Sequence, residues 1–273
     1  MKIPTQANKL GPRFRGDDKF ILISLLILFC LSIASPAHAQ FSADKTGPEA
    51  LRNANIVRWA KGEYEYRTLK TQTPRGAESF HLTVARDGSR TMRAVTDITA
   101  RDVQANVIVR VAESFRPIEA YVSLFTKGGY KGSLTLHVDG DVLHALTMGP
   151  TGRIEQTTKV PAQFSFVTHP LALDSWHSWY IAPTKGVVQT GAEYFVNTDG
   201  DVAKALNGQM QPITFEYMGE EEVTVPAGTF KATHVRMAGH SDIWHTGPDR
   251  ILVRYVWTAI DRDYVLKTLT TGP

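Results

Sequence analysis

Apolar and polar residues alternate along most of this chain. Ile213, Phe215 and Tyr217 alternate with Thr214, Glu216 and Met218, and Phe230, Ala232 and His234 alternate with Lys231, Thr233 and Val235. A period of two predicts strands with one buried and one wet face. Between these runs stands Pro226-Ala227-Gly228. Proline presets φ and glycine permits positive φ, so a tight hairpin is predicted there. The same alternation appears upstream at Tyr64, Tyr66 and Thr68, then at Phe80, Leu82 and Val84. It continues through Val107–Val111, Ile118–Leu124, Leu134–Val138 and Val142–Met148. Arg86-Asp87-Gly88-Ser89, Lys127-Gly128-Gly129, Asp139-Gly140-Asp141 and Gly149-Pro150-Thr151-Gly152 punctuate these runs. Strands at this spacing with glycine-rich turns predict an antiparallel meander. No long helical pattern interrupts them, which argues against a parallel α/β fold.

Two segments depart from alternation. Thr46, Pro48 and Glu49 resemble a helix start, with Ala50, Leu51, Ala54 and Val57 on one face and Gly62 as the stop. Pro161, Pro170 and Pro183 break up residues 160–208, which read as excursions across the open side of the sheet. Asp201–Leu206 is expected to form one or two helical turns.

Gly219, Glu220, Val225, Pro226, Ala227, Gly228 and Phe230 form a Gly-Glu, Val-Pro-Ala-Gly-x-Phe motif. With Val256-Trp257 and Asp263–Leu266, it resembles an exported bacterial family of unknown function within the LolA-like lipoprotein-carrier superfamily. The resemblance is clear over residues 211–270 and looser over 62–180. It implies a mainly β fold: one curved antiparallel sheet, a half-barrel or incomplete barrel, with one or two short helices. It also implies a concave apolar face that holds a lipid chain, or a helix standing in for one; the helix expected at 48–60 is the candidate plug.

The N-terminus places the chain. Lys19 precedes the apolar run 20–33, and Ala37-His38-Ala39 supplies an A-x-A cleavage site. Residues 1–39 therefore read as a cleaved signal peptide, leaving 40–273 as one antiparallel β domain with no transmembrane segment. An uncleaved anchor is the alternative, but the run falls short of the ~20 residues a span prefers. Phe29 before Cys30 argues against a lipoprotein signal, and Gly11–Gly16 suits a translation start placed too early. The expected location is the periplasm of a Gram-negative bacterium. Five basic and two acidic residues lie in 1–39, so the +3 net charge belongs to the leader and the body is neutral. A neutral body argues against nucleic acid. Cys30 is the only cysteine, so no disulfide or cysteine-ligated metal follows it.

Candidate chemistry gathers in residues 169–180 and 240–245, which hold His169, Asp174, His177 and His240 among three tryptophans. A His–Asp pair drawn from these four could act as acid and base. The plainer reading is structural: on a strand, Asp174, Trp176 and Ser178 would share a face that His177 does not. No His-x-His or helical His-x-x-x-His occurs, so no metal is expected, and no Gly-x-Ser-x-Gly elbow or phosphate loop is present. No cofactor is expected. Trp176, Trp179, Phe215, Tyr217, Phe230 and Trp257 are the candidate lining of an apolar pocket, against core packing as the alternative. Three functions compete. One is a carrier of an apolar small molecule or lipid, with an envelope protein as a further partner. The second is a cofactor-free enzyme with a His/Asp site at the pocket mouth. The third is a structural envelope protein whose concave face is filled by its own helix.

Overall fold

The computed structural model describes residues 55–273. The leader and the start of the expected 48–60 helix lie outside them. From Ile56 onward that helix is corrected to strand. Ala60, Gly62, Tyr64 and Tyr66 are buried in alternation, and a period of two puts every second side chain on one face, whereas a helix repeats about every 3.6 residues.

Fifteen strands form one mainly antiparallel sheet, with three short 3-10 helices among the described residues. The first eight are β1 (Ile56–Thr68), β2 (Pro74–Ala85), β3 (Arg90–Ile98), β4 (Val103–Val111), β5 (Pro117–Thr126), β6 (Gly129–Asp139), β7 (Val142–Gly149) and β8 (Gly152–Lys159). They pair in sequence order. The others are β9 (Ser165–Val167), β10 (Val188–Val196), β11 (Gly208–Val225), β12 (Gly228–Met237), β13 (Ser241–Thr246), β14 (Ile251–Trp257) and β15 (Arg262–Gly272). The last strand pairs with the first, Tyr66 opposite Tyr264, so two meanders join at β1–β15. The sheet is curved and open. Its outermost strands are β8 and β9, and the Tyr194 hydroxyl of β10 donates to Gln156 Oε1 of β8 at 3.4 Å without a ladder forming.

The expected hairpin is present. β11 and β12 turn through Pro226-Ala227, and Gly228 has φ +135°. A bulge at Met218 shifts the register between Tyr217 and Gly219, and on β12 Val235 rather than His234 is the buried residue. The region 160–208 holds more structure than expected. It contains β10, a three-residue parallel pairing of β9 with β10, and a 3-10 helix at Leu171–Trp176. Residues 201–206 form a turn rather than a helix. That loop is anchored instead by the buried Lys131 ammonium, which donates to the carbonyls of Asp201 (2.7 Å) and Lys204 (3.0 Å).

The inward side chains of both meanders build one core with Phe164, Phe166, Leu171, Leu173 and Trp176 of the 160–180 segment. The occupant of the central concave face is therefore this segment. It lies across the sheet because its apolar residues have no neighbours of their own to bury against.

Candidate functional site

The two ends of the curved sheet differ. At one end, loops 112–116 and 247–250 pack on the 3-10 helix, where Phe115 meets Trp176 at 5.6 Å. Asp249 accepts from Arg58 Nε (2.6 Å) and Nη2 (2.7 Å) and from Arg90 Nε (2.9 Å). Burial raises the Asp249 carboxyl, but these charged donors outweigh it and hold the group below the usual carboxylate range. Trp176 Nε1 donates to the Asp249 carbonyl at 3.0 Å. Arg250 donates to Ser175 O and to Ser178 Oγ, and its pKa falls to about 10 because it is desolvated.

Glu78 anchors the start of the helix. Its Oε2 accepts from Tyr66 Oη (2.6 Å), Thr96 Oγ1 (2.8 Å) and Leu171 N (2.8 Å), and its Oε1 accepts from Ala172 N (2.8 Å). Four donors on one buried carboxylate satisfy two amides that the first helical turn leaves open. Burial pushes this carboxyl up, and the four hydrogen bonds recover only part of the shift. Glu78 was not among the expected site residues. Its sequence signal is parity: it lies two residues before Phe80, on the apolar face of β2.

The expected site residues fall in different places. The helical geometry corrects the strand assumed around Asp174–Ser178 and puts Asp174 and His177 one turn apart, with Oδ1 and Nε2 separated by 3.9 Å. No contact of either His177 ring nitrogen meets full hydrogen-bond geometry among the described residues; burial lowers its pKa to about 4, and a weaker interaction with the Phe166 backbone opposes that. A void of about 10 Å³, roughly the room one water needs, lies against His177 and Ser165, whose Oγ has no hydrogen-bond partner among the described residues. Asp174 is pushed well above its usual range, first by burial and then by Glu78 and Glu193. His169 takes φ +73° and is exposed, with Nε2 3.0 Å from the Val196 carbonyl. His240 is exposed and stacks on Trp257 at 5.3 Å, away from the Asp174–His177 pair.

Of the candidate lining residues, Trp176 and Phe215 are core. Trp179 ties its indole to the Phe164 carbonyl at 2.9 Å. Tyr217 and Phe230 are partly buried on the hairpin. Trp257 lies at the other end of the sheet, where loops 69–73, 99–102, 238–240 and 258–261 emerge. There Ile98, Met237, Trp257 and Tyr264 continue the inward parity of their strands yet stay only half-buried. Tyr255 stacks with Trp257 at 6.4 Å and packs on Tyr264 at 5.4 Å. No group of three or more His, Cys, Asp or Glu side chains that could hold a metal occurs among the described residues. No helix among them is long and apolar enough to cross a membrane.

No family model matches the chain, and no curated protein does. Among solved structures it is similar to a beta-barrel-like protein of domain of unknown function DUF1849 from Brucella abortus. That match has a TM-score of 0.50 and 9% identity over 80% of this chain and 98% of that one. A DUF1089-family protein from Pseudomonas aeruginosa matches with a TM-score of 0.42 and 10% identity, over 66% of this chain and 88% of that one. The first supports the barrel-like sheet and extends to no activity.

Proposed function

We propose that this protein is exported to the periplasm and binds an apolar ligand at the open end of its concave face. The observation that carries this reading is the half-exposed set Ile98, Met237, Trp257 and Tyr264. Each points inward by strand parity, and each lacks the cover that the helix and Asp249 loop give the opposite end. A concave apolar surface of this kind favours a small apolar molecule. The A-x-A leader supports export. The LolA-like resemblance is compatible with a lipid-like ligand and with delivery to an envelope partner.

The test is mass spectrometry of organic extracts of the protein recovered from a bacterial envelope, for wild type and for Trp257→Ala. A stoichiometric apolar molecule retained by wild type and lost from the variant is the expected result. Recovery without any such molecule, repeated after incubation with envelope lipid, counts against binding. It would favour the second reading, a structural envelope protein, which rests on the 164–179 segment that already fills the central concave face.

A further inference from the structure

The open end also gathers three arginines that no carboxylate among the described residues pairs. Arg262 opens β15, Arg75 is the second residue of β2, and Arg101 closes the 3-10 turn Thr99–Arg101. Backbone pairing brings the three together. Arg262 lies opposite Thr68, Arg67 lies opposite Pro74, and Thr99 Oγ1 donates to the Arg75 carbonyl at 3.1 Å. Elsewhere most strand arginines are matched by carboxylates, Arg58 and Arg90 with Asp249, Arg67 and Arg254 with Asp263, and Arg236 with Asp242, while Arg93 of β3 stands in open solvent. Among the described residues, no carboxylate lies within ion-pair distance of Arg75, Arg101 or Arg262. The nearby Asp261 is engaged with the backbone: its Oδ1 accepts from Lys70 N at 3.0 Å, and its carbonyl accepts from Leu69 N and Arg262 Nη1. The cations feel one another. The Arg75 guanidinium is pushed down first by burial, then by Arg262 and, more weakly, by Arg101, with Tyr264 and Asp261 opposing. Tyr264 sits within the field of all three arginines.

An exposed arginine is ordinary, and Arg101 alone would be one. Three unmatched guanidiniums, two of them half-buried, around the aromatic lip of an apolar surface are not explained by solubility, since water would solvate them better apart. Guanidinium forks match carboxylate and phosphate geometry. We infer that the open end takes an amphiphile with an anionic head, its chain on Ile98, Met237, Trp257 and Tyr264 and its head against Arg75, Arg101 and Arg262. This deepens the proposed function and rests on it, because the chain must occupy the seat assigned there.

Calorimetric titration of the full chain at low salt tests both layers with four probes: dodecanoate, 1-dodecanol, dodecylammonium and inorganic phosphate. The expected result is dodecanoate binding at least about tenfold tighter than the alcohol or the ammonium, as charge complementarity at a half-buried rim allows. That advantage should shrink as salt rises and screens the rim. Arg75→Gln and Arg262→Gln should each weaken dodecanoate by about fivefold and leave dodecanol unchanged. Equal binding of dodecanoate and dodecanol overturns the anionic head and leaves the apolar seat standing. Failure of either chain to bind overturns the seat and the inference with it. Phosphate binding as tightly as dodecanoate overturns the amphiphile in favour of a free anion. The wild-type probe and salt series decides the matter even where a variant folds poorly.

Discussion

Glu78 is the contact on which the placement of the interior segment depends, and replacing it gives the sharpest test of the fold. Its carboxylate accepts two hydroxyls and the amides of Leu171 and Ala172 at 2.6–2.8 Å. In Glu78→Ala the hydroxyls of Tyr66 and Thr96 can rotate, but the two amides cannot and stay buried without acceptors. Each orphaned amide costs about 1–3 kcal/mol, a gross loss of about 2–6 kcal/mol. Against this stands the desolvation that raises the Glu78 pKa, which the truncation removes. A net loss of about 2–4 kcal/mol is expected. At about 2–4 °C per kcal/mol for a domain this size, Tm should fall by about 5–15 °C. Glu78→Gln keeps the volume and one acceptor but turns an NH₂ toward an N–H, and should lose about 1–3 kcal/mol. Urea unfolding followed by tryptophan fluorescence measures the loss, and hydrogen exchange at Leu171 and Ala172 localises it. Variants within about 0.5 kcal/mol of wild type, with both amides still protected, would refute the anchoring role.

Other perturbations reach separate parts of the molecule. Asp249→Ala strands the nearly buried Arg90 and unties the closed end, so a loss of about 3–5 kcal/mol in urea unfolding is expected. Gly228→Val meets open space, its nearest neighbour being the Phe230 ring at 3.9 Å, so any loss comes from φ +135°; about 1–3 kcal/mol is expected, and an unchanged Tm would contradict the turn geometry. Gly62→Val fails for the opposite reason, since its side chain would collide with Thr268 O and the Phe80 ring, and it should express poorly or melt well below wild type. His245 is buried without a hydrogen-bond partner among the described residues, and its pKa falls to about 3 through burial and then Arg250. The unfolded chain therefore binds a proton near pH 6.5 that the fold does not, so this histidine's contribution is fully present above about pH 6.5 and is lost as pH falls toward 3. His177, lowered to about 4, adds in the same direction, whereas the raised Glu78 and Asp174 favour the fold on protonation. His245→Asn should reduce the acid slope of unfolding free energy by about 1.4 kcal/mol per pH unit between pH 6 and 4; an unaltered slope would contradict a neutral buried imidazole.

How far the sequence could be read follows from where the forces lie. Alternation at Phe80–Val84 or Val107–Val111 is local, so the strands and their buried faces were legible, as was the hairpin at Pro226-Ala227. Val188–Val196 was missed because it mixes Gly191, Glu193 and Gln189 with apolar residues, and its strand comes from pairing with β11. Leu171–Trp176 carries no usable period because nearly every side chain in it is buried. Treating that stretch as a strand separated Asp174 from His177, and the helical turn reversed that.

What the sequence determined by itself is a mainly antiparallel β protein, because side-chain parity and turn chemistry act within a few residues; the curvature was implied only by the family resemblance. Tertiary structure alone decided the occupant of the concave face, the partner of Glu78, and the gathering of Arg75, Arg101 and Arg262 from positions far apart in the chain. Those outcomes depend on which strands become neighbours when β15 closes on β1, and pairing across 200 residues leaves no local trace in the pattern.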